Sequence, residues 1–193
     1  MDRPTLIVLG GANGSGKTTL AREYIFVEKF PYLGADQIAY DLNPNDVESV
    51  AIEAGRLFIK KIAEMIEDRH SFIVESTLSG LSLRKWISKA KDNGYLIKIG
   101  FVYLNSPELC VDRVSARVSK GGHHVPAEDI LRRYHRSNAN FWNHYKNLAD
   151  DWKLYNNTGS EIVLVAMDDG NGISIGETRR YKEWLKMVTE TEA

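Results

Sequence analysis

Near the start of the chain, Gly11-Ala12-Asn13-Gly14-Ser15-Gly16-Lys17-Thr18-Thr19 contains the spacing G-x-x-x-x-G-K-[ST]. The glycines let the backbone curl so that several N–H groups point inward as a nest for an anion. Lys17 reaches the outer phosphates as a point charge, and the Thr18 hydroxyl is the motif's ligand to Mg²⁺. A helix that starts here adds the positive end of its dipole. The apolar run Leu6-Ile7-Val8-Leu9 before the loop and the helical pattern after it supply the context that the motif needs. The stretch predicts binding of a nucleoside triphosphate, with Mg²⁺ beside it.

Two acids take comparable places downstream. Asp36 closes the short segment Tyr32-Leu33-Gly34-Ala35, and Glu75 closes Ser71-Phe72-Ile73-Val74. Beside a triphosphate, a carboxylate can take the proton of a substrate hydroxyl or hold Mg²⁺ through water, and both roles are open for Asp36. A helix cap or turn is its plain structural alternative. Glu75 can hold substrate or metal-bound water, or serve only a hydrogen bond to the Ser76 or Thr77 backbone.

Positive charge is concentrated further on. Arg113 and Arg117 stand at i,i+4, and Arg132, Arg133 and Arg136 follow on the next helical segment. Gly121-Gly122 breaks the pattern between them, so residues 113–136 read as a helical lid that closes arginines over phosphates. His123 and His124 are adjacent, a poor spacing for joint metal ligation, and are expected as lid-loop residues that touch substrate. Cys110 lies in an amphipathic segment and reads as a small core residue. Tyr134, Phe141, Trp142 and Tyr145 are expected to pack inward, which makes nucleic acid an unlikely partner.

These groups must be held by a scaffold, and its outline is visible. Strands are predicted at 5–9, 32–36, 71–75, 96–104 and 152–156, with a further strand at 161–167 joined to the fifth as a hairpin. Helices are predicted at 17–29, from 47 to the mid-sixties, from a Ser82 cap to Gly94, at 107–118, 127–148 and 177–190. Ser106-Pro107-Glu108 reads as N-cap, first-turn proline and first-turn acid. Asp168-Asp169-Gly170-Asn171-Gly172 is a plain turn rather than a calcium loop, since it lacks the length and terminal acid. Alternating strands and helices imply an α/β fold, with a mostly parallel central sheet between two helical layers. In such sheets ligands lie beyond the carboxyl ends of the strands, where the phosphate loop, Asp36 and Glu75 all fall.

Composition is consistent with one domain over residues 1–193. The chain is 43% hydrophobic and has a net charge of −1, so no basic field draws it to nucleic acid or membrane. No apolar run is long enough for a bilayer span, and the N-terminus enters the first strand with no room for a signal peptide. Its single cysteine excludes an internal disulfide. A cytoplasmic enzyme-sized domain is the expectation. The predicted strand at 96–104 ends Tyr103-Leu104 before Asn105, without the aspartate of motor and transport ATPases, which favours a small-molecule kinase.

Taken together, these segments resemble the zeta-toxin-like kinases, a branch of the phosphate-loop kinases. The resemblance rests on Gly11–Thr19, Asp36, Val74-Glu75-Ser76-Thr77-Leu78-Ser79-Gly80 and Trp152-Lys153-Leu154-Tyr155-Asn156-Asn157. Its most specific part runs from Arg113 through Gly121-Gly122-His123-His124-Val125-Pro126 to Arg132-Arg133-Tyr134. It implies a P-loop kinase fold with a helical lid, and ATP- and Mg²⁺-dependent phosphorylation of a small molecule. UDP-N-acetylglucosamine is the acceptor of the family's better-studied members. Carried over by motif, Lys17 and Thr18 bind phosphate and Mg²⁺, and Asp36 is the general base. Glu75 and Thr77 line the substrate site, and Arg117 and Arg133 are the lid arginines. Three other readings stay open: a kinase for an antibiotic or nucleic-acid end, a nucleotide-dependent regulatory protein, and a toxin silenced by a bound antitoxin.

Overall fold

The computed structural model describes residues 3–122 and 124–190. Of the expectations above, the role of His123 lies outside the described residues. Among these residues, seven strands form one sheet: β1 (Thr5–Gly10), β2 (Tyr32–Gly34), β3 (Phe72–Ser76), β4 (Leu96–Tyr103), β5 (Asp151–Asn156), β6 (Val163–Asp168) and β7 (Ile173–Ile175). The strand order is β2-β3-β1-β4-β5-β6-β7. The first five run parallel, and β6 and β7 are added antiparallel at one edge. The central strands β1, β3 and β4 are buried along most of their length, as covering on both faces requires, whereas β5 alternates buried and half-buried residues.

Among the described residues, seven α-helices accompany the sheet: α1 (Lys17–Glu28), α2 (Ala35–Leu42), α3 (Ala51–Glu67), α4 (Ser82–Asp92), α5 (Pro107–Val118), α6 (Ala127–Asn140) and α7 (Thr178–Glu190). Alternation along β1 divides the core. Leu6 and Val8 face a cluster with Phe72, Phe101, Phe141 and Trp184, while Ile7 and Leu9 pack with Leu20 and Ala21 of α1. A third cluster of Leu104, Cys110, Val114, Ile130 and Tyr134 joins the α5–α6 pair to the end of β4. Asn138 fixes α6 against α7, accepting from Trp184 Nε1 at 2.8 Å while donating to the Tyr134 carbonyl at 2.8 Å.

Several boundaries differ from expectation. β2 stops at Gly34, so Asp36 does not end a strand; it lies in the first turn of α2, where an acid complements the helix dipole. The segment 35–42 is thus a helix that the reading of a longer strand concealed. Residues 47–50 are turn, and α3 starts only at Ala51. Ser82 is the first helical residue rather than a side-chain cap. The helix expected at 127–148 changes winding after Asn140 into a π turn, Phe141–Tyr145, and a 3₁₀ turn, Lys146–Leu148. The wider turn begins at Phe141, whose ring stacks on Phe101 with centroids 4.4 Å apart. β7 went unread because it is only three residues long. Ser106 does cap α5, accepting from Leu109 N, with Pro107 in the first turn. Asp168 accepts from the Gly170 and Gly172 N–H groups, so 168–172 is a turn.

Candidate active site

Parallel β1, β2, β3, β4 and β5 bring their carboxyl ends to one edge of the sheet, and the glycine-rich loop leaves β1 there. Gly16 caps α1 in the left-handed region (φ 101°), and a Cβ at this position would collide with the Asn157 amide. Only glycine suits both demands. The Ser15 N–H turns back to the Ala12 carbonyl, and the Thr19 and Leu20 N–H groups are taken by the Gly16 carbonyl. The first N–H groups of α1, from Lys17 and Thr18, therefore face the loop's concavity without intrahelical acceptors. Ser15 is 1% exposed, and its hydroxyl has no partner among the described residues. An orphaned buried hydroxyl inside a glycine nest is the mark of a site built for a ligand's acceptor oxygens.

Lys17 is 7% exposed. Its Nζ donates to the Ala12 carbonyl at 3.0 Å and stands 4.0 Å from Glu75 Oε1. Glu75 lies opposite Leu9 in the β1–β3 register, which brings its carboxylate to the loop. It accepts from Thr18 Oγ1 at 3.1 and 3.3 Å and from Tyr32 Oη at 2.8 Å. These bonds, rather than its own neighbours' backbone, are what Glu75 engages. The acid beside the loop threonine thus comes from β3, one neighbour of β1; the other, β4, carries none at its end.

Asp36 lines a cavity of about 400 Å³ together with Lys17, Thr18, Glu75, Arg113 and Arg117. It also lines a second, of about 290 Å³, with Lys17, Glu75, Ser76, Thr77 and Arg133, and a third, of about 360 Å³, with His124, Asp129 and Arg133. Its carboxylate is exposed, accepts no hydrogen bond and forms no ion pair among the described residues. Thr77 Oγ1 is hydrogen-bonded to Ser79 Oγ at 2.9 Å on the wall of the second cavity.

The arginines are not equivalent. Arg133 donates to Asn13 Oδ1 of the loop at 3.1 Å and to Asp129 Oδ2 at 3.4 Å, so α6 reaches across to the loop. Arg117 lines the largest of the three Asp36 cavities, and its side chain lies so close to Gly122 that a Cβ there would be 2.5 Å from it. Arg113 lines the same cavity but donates to the Asn157 carbonyl at 2.8 Å. Arg132 pairs with Asp129 at 2.6 Å, and Arg136 borders none of these cavities.

Two residues of the site escaped the sequence reading. Tyr32 bridges to Glu75, and burial, followed by the charges of Glu75 and Asp36, holds its phenol well above the usual tyrosine range. It is a fixed hydrogen-bond donor, and Gly34 leaves it room, since a Cβ there would come within 2.8 Å of the phenol oxygen. Asn157 donates to the Ser15 carbonyl at 2.8 Å and so ties the end of β5 to the loop. The strand-end rule that singled out Glu75 applies to it equally.

Cys110 is buried, and burial raises its thiol to about 11, with Lys17 and Arg113 opposing the shift. The thiol therefore stays protonated at pH 8, below that value, and only the thiolate reacts. Alkylation by iodoacetamide at pH 8 should be negligible in the folded protein and prompt in guanidinium. Rapid labelling of the native chain would contradict this burial.

The AAA domain family AAA_33 matches residues 6–137. An uncharacterised protein of Haemophilus influenzae is 37% identical over 122 residues, which are 63% of this chain and 86% of the relative. Among solved structures, the AvrRxo1-ORF1:-ORF2 complex with ATP is similar with a TM-score of 0.76 and 18% identity over 96% of this chain. The match spans 64% of that longer chain. The PezAT chromosomal toxin–antitoxin system of Streptococcus pneumoniae gives a TM-score of 0.66 at 15% identity, covering 98% of this chain and 88% of the other. Among the described residues no helix is long and apolar enough to cross a membrane. With a family match over most of its length and a phosphate loop at the edge of a mostly parallel sheet, the chain belongs to the AAA_33 family of P-loop domains and has the fold of the zeta-toxin-like kinases.

Proposed function

We propose that the protein is an ATP-dependent kinase that transfers the γ-phosphoryl group to a hydroxyl of a small metabolite. The observation that carries this reading is the free Asp36 carboxylate on the same cavity wall as Lys17 and Thr18. The loop residues Gly11 to Thr19 hold the triphosphate, with Lys17 on its outer phosphates. Asp36 takes the proton as the acceptor oxygen bonds to the γ-phosphorus, the bond to the β–γ bridging oxygen breaks, and ADP leaves. Arg117 and Arg133, on the two helices of the lid at 113–136, neutralise charge that develops in transfer. Glu75, Thr77 and His124 border the acceptor.

The donor set fits Mg²⁺. Thr18 Oγ1 and Glu75 present hard oxygens within 3.3 Å of one another beside the nest. Among the described residues no cluster of three or more His, Cys, Asp or Glu forms a full protein cage. A cation that keeps waters and leans on substrate phosphates needs no more. When bound, Mg²⁺ neutralises charge on the β- and γ-phosphate oxygens.

The same proposal takes residues 1–193 as one domain working in the cytoplasm, where ATP is supplied. Likeness to PezAT supports a protein partner of the antitoxin kind. The resemblance to zeta-toxin-like kinases adds UDP-N-acetyl sugars as acceptor candidates. The direct experiment incubates the protein with γ-labelled ATP, Mg²⁺ and a panel of sugar nucleotides, nucleosides, sugars and aminoglycosides, with products read by mass spectrometry. Label on a hydroxyl, with little ATP turnover until that acceptor is added, is the expected result. Slow hydrolysis that no acceptor changes would instead describe a nucleotide-driven switch.

A further inference from the structure

The loop threonine is aimed by two hydrogen bonds in series. Thr18 Oγ1 donates to the Glu75 carboxylate, 3.1 Å from Oε2 and 3.3 Å from Oε1. A threonine hydroxyl has one proton, and committing it to Glu75 leaves the oxygen's lone pairs to a cation. Glu75 is held in turn by Tyr32, whose phenol donates to Oε2 at 2.8 Å. Among the described residues this is the shortest hydrogen bond to that carboxylate, and Lys17 stands farther off, 4.0 Å from Oε1.

Strand β2 is built to deliver the phenol. Gly34 lies opposite Glu75 in the β2–β3 register, and Tyr32, two residues earlier, projects from the same face of its strand. The ring crosses over Gly34 to reach Glu75: a Cβ on Gly34 would stand 2.8 Å from Oη, 3.2 Å from Cζ and 3.3 Å from Cε1. Gly34 has a φ of −133°, which any residue adopts, so its bare Cα serves the ring and not the backbone. Tyr32 also packs against the cluster of Ile7, Leu9 and Leu20, and it lines both cavities that Glu75 lines. Packing and hydrogen bond together leave the ring one place.

We infer that Tyr32 is a positioning residue for the cation site: through Glu75 it orients the Thr18 oxygen, and so sets how strongly Mg²⁺ tightens nucleotide binding. Outer partners of this kind are worth about 10- to 100-fold in metal affinity, because they fix the groups that meet the cation before it arrives. The inference rests on the nucleotide- and Mg²⁺-binding part of the kinase reading and deepens it.

The test is calorimetric titration of the full chain with a non-hydrolysable ATP analogue, once in EDTA and once in excess Mg²⁺. The ratio of the two affinities is the tightening due to the cation. In Tyr32→Phe, which keeps the ring and removes the donor, that ratio should fall about tenfold, while affinity in EDTA stays within about twofold. Gly34→Ala should lower the ratio with Tyr32 still present, because the new methyl displaces the phenol. Thermal melts identify which variants are folded. A merely structural role would lower both affinities together and leave the ratio alone. An unchanged ratio in either folded variant, or a native protein whose affinity Mg²⁺ does not alter, would overturn the inference. Label transfer with the acceptor panel keeps the two claims apart. The expected fall in the ratio without transfer to any acceptor removes the kinase reading alone, whereas transfer with the ratio intact removes this inference alone.

Discussion

Replacing Lys17 by alanine is expected to weaken ATP binding by roughly 10²- to 10³-fold, equivalent to about 3–4 kcal/mol. The side chain is almost wholly enclosed and stands 4.0 Å from Glu75 Oε1, so its ammonium is pre-positioned rather than recruited. Each charge-assisted hydrogen bond that it would give to phosphate is worth about 1.5–3 kcal/mol. Its removal also leaves the largely buried Glu75 carboxylate facing the phosphates without a counter-charge, which adds repulsion to the lost attraction. Titration of a fluorescent ATP analogue measures the loss, and a thermal melt confirms that the variant is folded. Unchanged affinity in a folded Lys17→Ala protein would mean that nucleotide binds elsewhere.

Asp36→Asn should have the opposite profile. Transfer should fall by about 10²- to 10⁴-fold, the usual range for loss of a general base. ATP affinity should change by less than about fivefold, because an exposed charge contributes under ~1 kcal/mol. The asparagine keeps the shape and the helix position while losing the ability to take a proton. Folding should be little affected, since Asp36 accepts no hydrogen bond among the described residues. Steady-state transfer and equilibrium ATP binding on the same preparation separate the two effects. Parallel loss of both would assign Asp36 to nucleotide binding or folding instead.

Much of this geometry was legible in the sequence because it rests on local chemistry. The glycine loop, the Ser106 cap and the break at Gly121-Gly122 follow from single-residue constraints and stand where expected. Glu75 was legible because a parallel strand delivers its last side chain to the ligand edge. Tyr32 was not, since its role depends on the β2–β3 pairing that sets its phenol against that carboxylate. Asp36 was placed at the right edge for an incomplete reason. A three-residue strand followed at once by a helix looks, in one dimension, like a five-residue strand.

The arginines show the same limit. Five of them share two helices, and their spacing alone cannot say which face the cleft. Tertiary contacts divide them: Asn157 holds Arg113, Asp129 holds Arg132, and the loop itself meets Arg133 through Asn13. The change of winding at Phe141 likewise coincides with its stacking on Phe101, 40 residues away in β4, and no local pattern signals it.

The central claim is spatial: one acceptor oxygen fits between the γ-phosphate on Lys17 and the Asp36 carboxylate. A crystal structure with Mg²⁺ and a non-hydrolysable ATP analogue measures that gap. In-line attack plus a hydrogen bond to the base requires the carboxylate to lie about 6 Å from the γ-phosphorus, with open space between. A carboxylate turned away, or more than roughly 10 Å from that phosphorus with the lid arginines on the phosphates, leaves no shared oxygen between base and phosphate and would contradict the account.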